Sequence, residues 1–170
     1  MFTIYHYLTL WIGGVMATIL IVGEDQSTRF WTDELTAAGH AVEAYGGSLD
    51  FQERFAGEAV DIFIVDIAHA DWGEAMLIPQ ARAAWPACRT IAVASSYAFR
   101  SSAVYQMGLW SPDQLLLKPV GAKVLCATVS FLWAQIRTEQ IKQHLTKSAR
   151  HQFFVDRLGP HVSTVSTSET

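Results

Sequence analysis

Short aliphatic runs alternate with amphipathic stretches along this chain of 170 residues. The run Ile19-Leu20-Ile21-Val22 has no polar position, which is typical of a parallel strand covered on both faces. Between the runs, as in residues 27–38 and 74–85, apolar side chains recur at helical spacing. The alternation therefore predicts an α/β fold, a parallel sheet with helices on both faces. The predicted strands span residues 19–22, 40–45, 60–66, 90–94 and 114–117.

Polar side chains follow several of these predicted strands at the point where each strand ends. Glu24 and Asp25 come after the first strand, Asp66 ends the third, Ser95 follows the fourth and Lys118 follows the fifth. Parallel strands end at one edge of a sheet, where α/β proteins place their ligand crevice. Carboxylates suit a hard divalent cation such as Mg²⁺, and a lysine suits a phosphoryl oxygen. In this set Asp66 is the candidate nucleophile for a phosphoryl group.

The ordered set of motifs resembles the receiver domain of bacterial two-component response regulators, over residues 17–140. The pieces that carry the resemblance are the first aliphatic strand with its acids, Val65-Asp66, Ala94-Ser95-Ser96 and Leu117-Lys118-Pro119. The resemblance implies a flavodoxin-like strand order 2-1-3-4-5 and a phosphoryl group accepted by Asp66. It implies roles for Ser95 and Lys118 at that group. It also implies Mg²⁺ binding by Glu24, Asp25, Asp66 and the backbone carbonyl of Ala68.

Three positions depart from the pattern of that family. Gly23 stands where the family has the first of two acids, so we expect Mg²⁺ to bind weakly and Gly23→Asp to strengthen its binding. The residues after Asp66 lack the usual Met-Pro pair. Leu115 replaces an aromatic residue that moves on activation in the family.

The departures leave two principal functions open. The chain is a single-domain regulator phosphorylated on Asp66 in a phosphorelay, or a pseudo-receiver that serves as a docking or dimerisation module. A small flavodoxin-like protein of another class is disfavoured, because the acidic Gly23-Glu24-Asp25 replaces a glycine-rich phosphate loop. In neither principal case is the chain expected to be an enzyme.

Composition limits the partners and the compartment. The net charge of -4 and the pI near 5.8 offer no basic footprint for nucleic acid. Cys88 and Cys126 form no CxxC motif, so we expect two buried free thiols in a cytoplasmic protein. Residues 1–15 are interpreted as an apolar N-terminal extension and 16–140 as the receiver-like domain. A membrane anchor is disfavoured because polar residues interrupt the first apolar segment.

The last predicted helix supplies the expected partner surface. It starts near Ala122, continues past Leu145 and carries more apolar residues than one sheet-facing stripe needs. Residues 141–170 are interpreted as a helical tail with a disordered Ser/Thr-rich end. The expected partners are a sensor histidine kinase or phosphotransfer protein, a downstream protein, and a second copy of this chain bound through the helix and tail.

Overall fold

The computed structural model describes residues 16–23, 25–46, 59–67, 76–95 and 111–158. The strands are β1 (Thr18–Val22), β2 (Ala41–Tyr45), β3 (Ile62–Ile67), β4 (Arg89–Ala94) and β5 (Gln114–Leu117). The helices of these described residues are α1 (Asp25–Ala37), α2 (Leu77–Ala84) and α3 (Ala122–Leu158). The helices predicted over residues 50–55 and 98–107 lie outside the described residues.

The five strands form one parallel sheet in the order β2-β1-β3-β4-β5, which confirms the predicted fold class and strand order. The central strands are in close register, with Ile64 of β3 opposite both Ile21 of β1 and Ile91 of β4. All six residues of β3 are buried, whereas β2, at the edge, has no buried residue. The aliphatic runs are continuous because helices cover both faces of the inner strands.

Two apolar clusters flank the sheet because successive side chains of a strand point to opposite faces. Leu20, Phe63 and Val65 pack on the face that contains Ile78 of α2. Ile19, Ile62, Ile64 and Ile91 pack on the other face with residues of α1 and α3, Trp31, Leu35, Leu125, Val129, Leu132 and Ile136. Burying one such aliphatic side chain contributes about 1.5–3 kcal/mol, so the two clusters dominate the stability of the sheet.

A glycine follows the last turn of α1 and ends the helix. Gly39 has φ of 92°, in the left-handed region that side chains disfavour. Its N–H donates to the Thr36 carbonyl at 2.8 Å, and the His40 N–H donates to the Leu35 carbonyl at 3.1 Å. This pair of bonds satisfies the last helical carbonyls and turns the chain into β2.

The two cysteines differ in burial. Cys88 is buried, and burial is the main cause that raises the pKa of its thiol to about 12. Cys126 is only partly buried on α3, and burial raises its pKa as well. Both thiols are free and stay protonated at neutral pH, so neither is a reactive thiolate.

The chain divides into two compact units, Met1–Ile136 and Arg137–Thr170. The sheet and both apolar clusters lie in the first unit. In the second unit the described side chains of residues 138–150 are all exposed. The predicted domain boundary after residue 140 stays a prediction. None of the helices in the described ranges is long and apolar enough to cross a bilayer.

Asp113 joins β5 to β4 at the edge of the sheet where the strands begin. Its carboxylate accepts hydrogen bonds from the Thr90 N–H at 2.8 Å and the Thr90 hydroxyl at 2.9 Å. It also forms ion pairs with Arg82 at 3.3 Å and Arg89 at 3.2 Å. Burial opposes ionisation of Asp113, but the Thr90 hydrogen bonds and Arg82 outweigh it and lower the pKa of the carboxyl group.

We expect this contact to make stability depend on pH in the acid range. A lowered folded-state pKa stabilises the protein above the unfolded pKa, about 3.9, and the effect is lost as pH falls through the folded value. Asp113→Asn should cost about 1–3 kcal/mol at neutral pH, and the difference from wild type should shrink on acidification. Urea unfolding across that range measures it, with exposed Asp33→Asn as control. A constant difference at every pH would contradict the assignment.

Candidate functional site

Lys118 and Asp66 meet at the edge of the sheet where the strands end. Asp66 is the penultimate residue of β3 and is 0% exposed, in a strand that is otherwise apolar. Lys118 follows β5 directly, and its N–H donates to the Ala94 carbonyl at 2.9 Å, which fixes the start of the turn. The Lys118 Nζ lies 2.8 Å from Asp66 Oδ2 and 2.6 Å from Oδ1.

This ion pair accounts for a carboxylate in the interior of the sheet. A buried charge is tolerated only where an opposite charge and hydrogen bonds replace water. The Lys118 side chain is 27% exposed, whereas the Asp66 side chain is 0% exposed. The geometry leaves Lys118 able to contact a group attached to either Asp66 oxygen.

Ser95 lies at the same edge of the sheet. It follows Ala94, which pairs with Ile67 one residue beyond Asp66 in β3. Ser95 is partly buried, and it comes directly after β4, the strand that pairs with the strand of Asp66. Its predicted role as a hydroxyl donor to a phosphoryl oxygen stays a prediction.

The predicted Mg²⁺ ligands are only partly within the described residues. Glu24 and Ala68 lie outside them, and Asp25 is described only as the first residue of α1. In the described ranges no group of three or more acidic, histidine or cysteine side chains could hold a metal ion. Both oxygens of Asp66 contact the Lys118 ammonium. Binding of Mg²⁺ by Glu24, Asp25, Asp66 and the Ala68 carbonyl therefore stays a prediction.

Gly23 packs directly against Asp66. Its N–H donates to the Tyr45 carbonyl at 3.0 Å, which holds the end of β1 beside β2. A Cβ atom at position 23 would overlap the Cβ of Asp66 and lie 3.3 Å from Cγ2 of Thr28. Gly23, without a Cβ, thus allows close packing between β1 and β3. A side chain at position 23 therefore requires β1 or β3 to shift, and the expectation that Gly23→Asp strengthens Mg²⁺ binding stays a prediction.

Leu115 lies within β5, opposite Ala92 of β4. It is partly buried and packs against the cluster that contains Phe63 and Ile78. The position therefore contributes to the core, and no aromatic ring is available there to move between buried and exposed states.

Sequence reasoning missed the contribution of Thr28 to this site. Thr28 is buried on the first turns of α1, and its methyl group limits the space around Gly23. A small glycine after a buried strand is a signal of close backbone approach. Gly23 follows such a strand, so its sequence position is also consistent with close packing and not only with a lost metal ligand.

Comparison with solved structures identifies the architecture. A CheY-like receiver domain protein from Methanospirillum hungatei JF-1 shares 19% identity and a TM-score of 0.64, covering 73% of this chain and 98% of its own. A response regulator receiver domain from Geobacillus stearothermophilus shares 20% identity and a TM-score of 0.61, covering 74% and 99%.

A putative pilus assembly-related protein from Burkholderia pseudomallei K96243 is also similar, at 22% identity and a TM-score of 0.58, covering 71% and 91%. No protein-family model and no curated protein matches the sequence. Likeness at these identities shows the receiver-domain fold alone. The suspected resemblance is therefore confirmed for the fold.

Proposed function

We propose that this chain is a response-regulator-like signalling module that accepts a phosphoryl group on Asp66 and acts through contacts with other proteins. The observation that carries the proposal is the Lys118 ammonium at 2.6 and 2.8 Å from the Asp66 oxygens, at the strand ends. The phosphodonor would be a sensor histidine kinase or a phosphotransfer protein.

The phosphodonor, Asp66 and water supply all the atoms of the transfer step. A carboxylate oxygen of Asp66 attacks phosphorus, and the P–N bond of a phosphohistidine breaks. The imidazole nitrogen keeps the electron pair and takes up a proton from water, and an aspartyl-phosphate remains. The new group adds negative charge where Lys118 already supplies a positive one, and Ser95 would donate a hydrogen bond to a phosphoryl oxygen.

A docking module that is not phosphorylated is the second candidate. Two observations favour it, the complete burial of Asp66 and the close packing of Gly23 against it. A phosphodonor reaches a fully buried carboxylate only after the surrounding chain moves. In this case the Lys118–Asp66 ion pair serves to hold the chain after β5 against the end of β3.

Phosphotransfer from a small phosphodonor distinguishes the two candidates. The protein is incubated with acetyl phosphate or phosphoramidate, with and without Mg²⁺, and intact mass is measured. We expect wild type and Asp33→Asn to gain one phosphoryl group that hydroxylamine removes, as an acyl phosphate requires. Asp66→Asn should gain none. A gain that persists in Asp66→Asn would place the acceptor elsewhere, and no gain in wild type would favour the docking module.

A further inference from the structure

The apolar residues of α3 lie on two different sides of the helix. One side, with Leu125, Val129, Leu132 and Ile136, is buried against the sheet. Burial of this side stabilises the first unit, and the buried side is not accessible to another protein. The second side is exposed, and it carries large apolar residues that the sheet does not cover.

The exposed side has a seven-residue repeat. Val124, Phe131, Ile141 and Leu145 are 54%, 55%, 55% and 62% exposed. Two sets of positions repeat at seven-residue intervals, and together we call them the seam. The first set is Val124, Phe131, Thr138 and Leu145. The second set is Ala127, Ala134, Ile141 and Ser148. All eight positions are exposed. Two such sets, offset by three residues, are the pattern of a helix that pairs with another helix.

The charge around the seam is basic. The flanking positions of the repeat are Lys123, Thr128, Ser130, Gln135, Arg137, Lys142, His144 and Ala149, without an acid. α3 contains six Lys or Arg and two acids, a net +4. The whole chain carries -4, so the remaining residues carry -8. A positive helix on an otherwise acidic protein selects for acidic partners.

We propose that the seam binds an amphipathic helix of another protein whose apolar stripe is flanked by Asp and Glu. Charge disfavours a second copy as the occupant. In a parallel pair of copies, Arg137 of one helix would lie opposite Lys142 of the other, which is unfavourable. In an antiparallel pair the flanking residues of the two helices would meet without any acid to form an ion pair. The homodimer through this helix stays a prediction, and the charges favour a pair of unlike helices instead.

The width of the seam favours a helix over a lipid surface. A helix lying in a membrane presents a broad apolar face with large residues, whereas a helix pair needs a narrow stripe. Among residues 137–150, whose side chains the structure describes, the large apolar residues are Ile141 and Leu145, with Thr138 and Ser148 completing the stripe. Alanines at 127 and 134 allow a partner helix to approach closely.

This inference rests on the proposed function in one respect, that the chain acts by protein contact. It involves no residue of the Asp66 site, so Asp66→Asn should bind the partner helix as wild type does. Failure of phosphotransfer and failure of helix binding are thus separate results.

The test uses the full chain and a synthetic peptide of about four heptads, with Ile and Leu at the seam positions and Glu at every flanking position. Glutamate flanks keep the peptide from pairing with itself. Binding is measured by fluorescence anisotropy, with a Lys-flanked peptide as a comparison. We expect the Glu peptide to bind at least about tenfold more tightly than the Lys peptide.

Two double variants of equal charge distinguish the seam from the rest of the helix. Ile141→Asp with Leu145→Asp should weaken binding of the Glu peptide at least about tenfold. Gln140→Asp with Gln143→Asp adds the same charge on exposed positions outside the seam and should change it less than about twofold. Both variants leave the sheet and its clusters intact.

Four results would overturn the proposal. They are equal binding of both peptides, no binding of either, and equal loss in the two double variants. The fourth is binding of the seam to a second copy of the chain or to a lipid surface. Sedimentation would then show self-association of the chain, or vesicles of phosphatidylcholine and phosphatidylglycerol would bind it. In either case Ile141→Asp with Leu145→Asp would abolish that association.

Discussion

Gly23→Asp is expected to lower the free energy of unfolding by roughly 3 kcal/mol or more. The new Cβ would overlap the Cβ of Asp66 and lie 3.4 Å from its Cα, so β1 or β3 must shift. A second carboxylate would also enter a site whose Lys118 already contacts both Asp66 oxygens. Urea unfolding followed by tryptophan fluorescence measures the loss.

Two further glycine variants separate the causes. Gly23→Ala introduces only the overlapping Cβ, so it should account for much of the loss without the added charge. Gly121→Asp is the matched control, because a Cβ there meets no atom within 4 Å. The Gly121 carbonyl accepts from the Val124 N–H at the start of α3, so aspartate at this cap should be neutral or stabilising by a few tenths of a kcal/mol. Wild-type stability in Gly23→Asp, with tighter Mg²⁺ binding, would contradict the packing argument.

Most of the fold could be predicted because its signals are local. A strand buried on both faces needs a run without polar residues, and β1 and β4 carry such runs. The predicted ends were off by one or two residues, as in β3, which starts at Ile62 and ends at Ile67, one residue beyond Asp66. Pro79 is compatible with a helix from Leu77, since it lies in the first turn of α2, where its missing N–H is not needed.

The candidate site was predictable only as far as topology fixes it. Parallel strands must end at one edge, so Asp66 and Lys118 could be placed together from their positions alone. The distance between β1 and β3 at Gly23 depends on side-chain packing, which no local pattern encodes. Gly23 was therefore interpreted as a lost ligand, while the structure shows that it makes room for Asp66.

The Asp113 contact shows the same limit at the opposite edge. Its partners Arg82, Arg89 and Thr90 come from α2 and β4, 31, 24 and 23 residues away in the chain. An acid at the start of a strand has no local signature that separates such a contact from an exposed position. Whether Asp113 forms this contact depends on where the fold places Arg82 and Arg89.

Lys118→Ala is expected to destabilise the protein by about 3–5 kcal/mol, because it removes the cation beside a carboxylate that is completely buried. The pair itself gains little over apolar packing, since both charges lose water on burial. Removing one partner is costly because the desolvation of the other is no longer offset. Lys123→Ala, which removes an exposed lysine on the first turn of α3, should change stability by less than about 0.5 kcal/mol.

A double-mutant cycle with Asp66→Asn tests whether charge is the cause. In the Asp66→Asn background position 66 carries no charge, so Lys118→Ala should cost only about 1 kcal/mol, the value of a lost neutral contact. The four free energies of unfolding are measured in urea at neutral pH. Equal costs of Lys118→Ala in both backgrounds would show that the lysine acts through its aliphatic chain. The ion pair that carries the phosphoacceptor proposal would then have no energetic support, and the docking-module function would be preferred.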